Sequence, residues 1–112
     1  MKQQKIYISG AITNVSTFER EFNNAQQFLR QVYPDAIIYN PVNIPGPKFD
    51  QDDWGMDSVW KYYMIEALKM LLECDTVFML RSWTFSRGAK IEHELAQDLG
   101  LKIIYEENFP QS

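Results

Sequence analysis

The sequence predicts an α/β domain, a Rossmann-like or flavodoxin-like three-layer sandwich in which helices cover both faces of a parallel sheet of four to five strands. Short apolar runs alternate along the chain with longer segments whose apolar residues recur at helical spacing. Strands that alternate with helices are joined by right-handed crossovers, and such crossovers generate parallel sheets. The chain has 112 residues, which is enough for one hydrophobic core but not for two. We therefore expect residues 1–112 to form a single domain.

The first half of the chain carries two predicted strands and one predicted helix. Lys5–Gly10 is a run of strand formers halted by glycine, which predicts a buried strand in the middle of the sheet. Ser16-Thr17-Phe18-Glu19 has the capping-box pattern of a helix start, and the helical spacing that follows ends at Pro34. Ala36–Tyr39 predicts the second strand. Pro41–Asp57 contains three prolines, two glycines and four aspartates, so we expect a surface loop that acts as a functional lid.

The second half carries two further helices and two further strands. Asp57–Glu73 has apolar residues at helical spacing and predicts the second helix. Thr76–Leu80 predicts a third buried strand. The third helix is expected to end at Gly100, because glycine commonly closes a helix, and Lys102–Tyr105 predicts the fourth strand.

Composition and charge exclude several kinds of partner. The formal charge is -4 with a pI of about 4.9, so we expect no polymeric nucleic acid as a partner. Met1 is followed by no apolar stretch long enough for a signal peptide or a membrane span, so we expect a cytoplasmic protein without a membrane partner. The single Cys74 predicts a small buried hydrophobe. His93 stands alone and predicts a surface residue, so we expect neither a metal site nor a cofactor.

The segments after the first and third strands are the expected ligand site. In parallel sheets ligands bind beyond the carboxyl ends of the strands, which singles out Gly10–Asn14 and Arg81–Glu92. Ser86, Gly88 and Glu92 surround a helix start, where free amides bind phosphate and a glycine lets a ligand approach the backbone. Glu92 has a structural explanation as well, because the helix dipole favours glutamate near a helix start.

Three motifs resemble the nucleoside 2-deoxyribosyltransferase superfamily. They are Tyr7-Ile8-Ser9-Gly10-Ala11-Ile12, Cys74-Asp75-Thr76-Val77 and Ser86-x-Gly88-x-x-x-Glu92-x-x-x-Ala96, and together they span most of the chain. The resemblance is closest to the 2′-deoxynucleoside 5′-phosphate N-hydrolase branch and to small phage and prophage relatives. Those relatives share the pattern Trp83-x-x-Ser86-x-Gly88-Ala89-x-x-Glu92.

The resemblance implies an N-glycosidase that acts on nucleoside 5′-monophosphates through a covalent glycosyl-glutamate intermediate, by hydrolysis or by base exchange. It makes Glu92 the nucleophile and Tyr7 the residue that orients it. Ser86 matches the serine of the monophosphate hydrolases, whereas the transferases of free nucleosides have an aspartate there. Asp75 either has a structural role or holds in place a residue that contacts the substrate. The implied substrate-binding residues are Gly10, Ala11, Ile12, Trp83, Ser86, Arg87 and Gly88.

One position departs from the family pattern and leaves alternatives open. Ala67 stands where both branches have an aspartate near the sugar and the base, and Glu66 lies about 100° around the helix from it. Either an acid from the segment 50–53 substitutes, or base activation is weakened, or the protein binds nucleotides or ADP-ribose derivatives without turnover. A further alternative is an NAD glycohydrolase. The resembling enzymes are dimers, so we expect a homodimer or higher homo-oligomer whose interface includes Trp60, Tyr62 and Tyr63.

Overall fold

Four parallel strands form one sheet with the strand order β2-β1-β3-β4. The structure, a computed structural model, describes residues 3–12, 17–47 and 51–109, and for residues 51–57 the backbone alone. The strands are β1 (Lys5–Ser9), β2 (Ile37–Tyr39), β3 (Thr76–Met79) and β4 (Lys102–Tyr105). The helices are α1 (Phe18–Val32), α2 (Gln51–Leu72) and α3 (Arg87–Asp98). The predicted fold class is confirmed, with four strands in the sheet.

The central strand β1 sends alternate side chains to the two faces of the sheet. Ile6 and Ile8 pack with the buried residues of α1 in one apolar cluster. Tyr7 belongs to a second cluster, which contains buried residues of α2 and α3. The period of two along a strand therefore separates a face covered by α1 from a face covered by α2 and α3. Since Ser9 follows Tyr7 by two residues, both side chains lie on the α2 and α3 face.

The start of α1 differs in detail from the predicted capping box. The helix begins at Phe18, and Thr17 occupies the cap position without a side-chain hydrogen bond to the backbone. The Thr17 hydroxyl instead lies 3.3 Å from a carboxylate oxygen of Glu21. Ser16, which carried the predicted cap, lies outside the described residues.

The predicted loop Pro41–Asp57 is wrong over its second part, because α2 already begins at Gln51. Pro41–Asn43 forms a single 3₁₀ turn, and residues 48–50 lie outside the described part of the chain. Aspartates and a glycine made 51–57 look like a loop. Acidic residues near a helix start are nevertheless favoured by the helix dipole, and one glycine costs a helix only about 1 kcal/mol. The lid expected from this segment is thus helical in its second part.

The end of α3 follows the prediction. Gly100 has a φ of 72°, which is the left-handed conformation that glycine adopts without strain. The Leu101 amide then bonds back to the Ala96 carbonyl at 2.9 Å, and the chain turns into β4. Within the described residues, none of the helices is both long and apolar enough to cross a lipid bilayer.

Candidate active site

A cavity of about 590 Å³ opens beyond the carboxyl end of β1, between the segment that follows β2 and the start of α3, with α2 beside it. The chain leaves β1 toward β2 on one side and returns to β3 on the other, and such switch points are where ligands bind in parallel sheets. Most of the lining is apolar or aromatic. Its described members are Tyr7, Gly10, Ile12, Phe22, Pro41, Ile44, Val59, Trp60, Tyr63, Met64, Ala67, Ser86, Arg87 and Glu92.

A buried carboxylate held by two hydroxyl groups forms the chemical centre of this cavity. The Tyr7 hydroxyl donates a hydrogen bond of 2.6 Å to Oε2 of Glu92. The Ser9 hydroxyl donates a bond of the same length, 2.6 Å, to Oε1. Glu92 is 4% exposed, and both hydroxyl-bearing residues are 1% exposed. Each oxygen therefore has one fixed donor and keeps lone pairs for a ligand.

Local structure explains why these three groups meet. Tyr7 and Ser9 lie on the same face of β1, because successive side chains alternate along a strand. Glu92 lies in the second turn of α3, on the side that packs against the sheet together with Ala89 and Ala96. The small alanine side chains let the helix approach the strands closely enough for direct hydrogen bonds.

Burial decides the proton affinity of the carboxylate. The loss of water around Glu92 raises its pKa to about 7, although the bonds from Ser9 and Tyr7 each act to lower it. The pKa of Tyr7 is raised well above its ordinary value, first by burial and then by the negative charge of Glu92. The phenol therefore stays protonated and acts as a donor, while the carboxyl group is poised to titrate near neutral pH.

We expect Ser9→Ala to raise the pKa of Glu92, because a hydrogen bond that favours the charged form is removed. One such bond contributes about 1 kcal/mol, or about 0.7 pKa unit, so any rate that requires ionised Glu92 should fall about threefold at pH 7. The pH dependence of that rate measures the shift. Ser82→Ala is the matched control, because the Ser82 hydroxyl accepts from the Ala11 amide at 3.0 Å. An equal shift in both variants, or none in Ser9→Ala, would contradict the assignment.

Ser86, Arg87 and Trp60 line the same cavity at the start of α3. The Ser86 hydroxyl caps the helix by accepting from the Ala89 amide at 3.1 Å, so its own proton is free to donate to a ligand. The guanidinium carbon of Arg87 lies 4.2 Å from the centroid of the Trp60 ring. Glu92 and this cation therefore lie on different parts of one cavity wall.

Comparison with known proteins places the chain in a family. The sequence model of a family described as "Domain of unknown function (DUF4406)" matches residues 4–105. The chain belongs to the DUF4406 family. No match is found among the curated proteins.

One solved structure resembles this DUF4406 chain. It is described as "Crystal structure of conserved protein from Enterococcus faecalis V583" and has a TM-score of 0.68 at 17% sequence identity. The match covers 93% of this chain, which spans 63% of the length of that protein. At this identity the likeness shows the fold alone.

In the DUF4406 domain, two of the residues expected to contact a ligand through their backbone make contacts within the protein. A side chain at Gly88 would place its Cβ 2.7 Å from the sulfur of Met64, so this glycine serves the contact between α3 and α2, where a ligand was expected. The Ala11 amide, predicted to contact substrate, already donates to Ser82. Gly10 and Ile12 do line the cavity, and a Cβ at Gly10 would lie 2.8 Å from Cδ1 of Leu80.

Trp83 and its neighbours form an aromatic cluster outside the described cavity lining. The Trp83 ring stacks on His93 with centroids 4.2 Å apart, and the His93 Nε2 atom lies 2.7 Å from the Tyr105 hydroxyl. His93, expected at the surface, is thus half-buried by its aromatic neighbours. Trp83, expected to contact substrate, packs against this histidine.

Asp75 lies at the amino ends of the strands, whereas the cavity lies beyond their carboxyl ends. Its carboxylate accepts from the Lys5 amide at 3.1 Å and from the Thr76 hydroxyl at 2.7 Å. These bonds tie the start of β1 to the start of β3. Of the two roles left open for Asp75, the contacts support the structural one.

Ala67 is buried, 6% exposed, and lines the cavity. Residue 67 therefore faces the cavity, although alanine has no acidic group. Glu66 is turned away and pairs with Lys69 at 3.3 Å. Of the acids in 50–53 that could substitute, Asp50 lies outside the described residues and the side chains of Asp52 and Asp53 are not described.

Two residues of the site were not singled out by their sequence. The signal for Ser9 is its spacing of two residues from Tyr7, which places both side chains on one strand face. Trp60 is expected at the subunit interface, because helical spacing does not indicate that a residue lines a cavity.

Proposed function

We propose that this DUF4406 protein is an N-glycosidase that acts on nucleoside 5′-monophosphates, with Glu92 as the nucleophile. One observation carries the proposal. A buried carboxylate, fixed at both oxygens by 2.6 Å hydroxyl bonds, lines a cavity of about 590 Å³. The cavity size lies within the range of small-molecule sites.

The reaction proceeds by a retaining double displacement. A carboxylate oxygen of Glu92 attacks C1′ while the bond from C1′ to the base nitrogen breaks, and the base leaves with the bonding electron pair. The oxocarbenium-like transition state is stabilised by the negative charge of the carboxylate beside it. Water then attacks C1′ of the glycosyl ester, which releases Glu92, a sugar phosphate and a proton. A second base in place of water gives base exchange.

The two hydroxyl groups contribute orientation to this mechanism. Tyr7 and Ser9 are neutral donors, so they fix the carboxylate without pairing it with a cation. An anchored carboxylate loses little further freedom on attack, which lowers the entropic part of the barrier. The pKa of about 7 keeps a substantial ionised fraction at neutral pH.

Ser86 and Arg87 support a phosphorylated substrate. A hydroxyl with a free proton and a guanidinium group are both donors to phosphate oxygens, and both line the cavity that contains Glu92. Serine matches the monophosphate hydrolases at this position, whereas an aspartate would repel a phosphate dianion.

The second candidate function is a binding protein that holds nucleotides or ADP-ribose derivatives without turnover. Ala67 favours it, because a cavity-lining position lacks the acid that would protonate a leaving base.

A cationic leaving group such as nicotinamide needs no such proton, so NAD and nicotinamide mononucleotide belong among the test substrates.

Incubation with ribo- and deoxynucleoside monophosphates, nucleosides, NAD and nicotinamide mononucleotide tests the proposal directly. Chromatography of the released base should show turnover of at least one monophosphate and slower turnover of its nucleoside. Tight binding without release of any base would contradict the enzyme and favour the binding protein. Release of nicotinamide alone would favour the glycohydrolase alternative.

We expect Ala67→Asp to accelerate the release of neutral bases, because it places a second carboxyl group in the cavity that Glu92 lines. Two nearby carboxylates raise one another's pKa, and a protonated acid contributes on the order of 100-fold or more to such a step. Lys69→Asp, at an exposed position of α2 outside the described cavity lining, is the matched control. A rate unchanged in Ala67→Asp would show that base departure does not depend on an acid at this position.

A homodimer is part of the proposal. The predicted interface residues have intramolecular contacts in the described chain, since Trp60 and Tyr63 line the cavity and the Tyr62 hydroxyl donates to the Pro45 carbonyl at 2.8 Å. Among the side chains of α2 that the structure describes, the exposed large hydrophobic ones are Tyr63, Ile65 and Leu72, at 36%, 55% and 60%. A second copy packed on α2 would bury this surface.

A further inference from the structure

The contact between Arg87 and Trp60 lies at the wall of the cavity and joins the start of α3 to α2. The guanidinium carbon is 4.2 Å from the ring centroid, which is a cation–π contact. Arg87 is exposed, and in the described part of the chain it makes no ion pair with a carboxylate. An arginine above an aromatic face keeps its N–H groups available for an anion.

The spacing of Arg87 and Glu92 along α3 matches a ligand with two distinct ends. They are the first and the sixth residues of the helix, which corresponds to about 7.5 Å along its axis. Ser86 lies at the Arg87 end. Since both ends line one cavity, a ligand that reaches Glu92 with a reactive carbon can reach Arg87 with a charged group. In a nucleoside 5′-monophosphate the reactive carbon is C1′ of the sugar ring, and the phosphate is attached through C5′ at the other side of that ring.

Trp60 reduces the conformational entropy that the long Arg87 side chain loses when it binds an anion. A free arginine has about 2 kcal/mol of rotamer entropy to lose when it binds an anion. The ring of Trp60 holds the guanidinium against α2 before any ligand arrives. Preorganisation of this kind increases affinity without adding a contact to the ligand.

We propose that Trp60 is a positioning residue that holds Arg87 as the receptor for the 5′-phosphate, so that this pair determines the preference for nucleoside monophosphates over nucleosides. The nature of the ligand rests on the proposed function, whereas the anion receptor itself rests on the Arg87–Trp60 contact and the shared cavity.

Calorimetric titration in the Glu92→Gln background tests the pair without turnover. The ligands are a panel of nucleoside 5′-monophosphates, the matching nucleosides, and ribose 5-phosphate. Arg87→Ala and Trp60→Leu should each weaken monophosphate binding about tenfold and leave nucleoside binding unchanged. Trp60→Phe should keep most of the affinity, because it retains an aromatic face. Lys90→Ala removes an exposed cation from the same helix outside the cavity lining and should change nothing.

Three results would overturn the proposal. They are equal weakening of monophosphate and nucleoside in Trp60→Leu, an effect of Lys90→Ala equal to that of Arg87→Ala, and no panel member whose binding depends on Arg87. Failure of the proposed function is distinguishable from these. Arg87-dependent monophosphate binding in a protein whose wild type releases no base would support the receptor and contradict the glycosidase.

Discussion

Replacement of Glu92 by glutamine is expected to abolish base release, with kcat/KM reduced on the order of 10⁴-fold or more. An amide cannot form the glycosyl ester, because its oxygen is a poor nucleophile and carries no charge to stabilise the oxocarbenium-like state. Glutamine is isosteric, and the Ser9 and Tyr7 hydroxyls can still bond its oxygen and nitrogen. The fold and the monophosphate affinity should therefore persist.

Base release measured by chromatography, together with calorimetric binding, separates chemistry from folding in this variant. Glu94→Gln is the matched control, because Glu94 lies two residues further along α3 and is exposed. Its rate should equal that of the wild type. Base release by Glu92→Gln within tenfold of the wild-type rate would exclude Glu92 as the nucleophile.

The second large effect concerns stability against pH. Burial raises the pKa of Glu92 from its ordinary value of 4.5 to about 7, so the folded state binds a proton more tightly than the unfolded state does. Below pH 4.5 the group is protonated in both states. As the pH rises from there through 7, the unfolded state ionises first and the free energy of unfolding falls. Each pKa unit corresponds to about 1.4 kcal/mol, which gives a total loss of about 3 kcal/mol.

Glu92→Gln should remove this loss, because glutamine does not titrate. We expect the variant to be about 3 kcal/mol more stable than the wild type at pH 8 and close to it at pH 4.5. Urea unfolding at a series of pH values measures both curves. Parallel curves would mean that Glu92 ionises at its ordinary pKa. Curves that diverge between pH 4.5 and 7 would instead identify the stability lost at neutral pH as the cost of keeping the Glu92 carboxylate out of water.

The fold was largely predictable because the residues that end its strands and helices act locally. Gly10 halts the first strand, Gly100 closes α3, and the short apolar runs between them have the length of buried strands. The start of α2 was not predictable from the same cues. Aspartates and a glycine favour turns on their own, and only the packing of the following apolar turns makes 51–57 continue as helix.

The site was predictable only in part, for a different reason. Helical spacing left Glu92 ambiguous between a dipole effect and a reactive group, and the resemblance decided which hypothesis to prefer. The packing role of Gly88 is not visible in the sequence, because the sulfur of Met64, on another helix, lies 2.7 Å from where its Cβ would be. The partner of Arg87 was equally hidden, since Trp60 lies 27 residues earlier on α2.

The hydroxyls and the carboxylate at the centre of the cavity come from opposite ends of the chain. Tyr7 and Glu92 are 85 positions apart, and Ser9 and Glu92 are 83 apart. During translation, therefore, the first strand leaves the ribosome long before the helix that completes the site. Under the proposed mechanism, a nascent chain arrested before α3 emerges lacks Glu92, so base release would begin only after α3 has packed against β1.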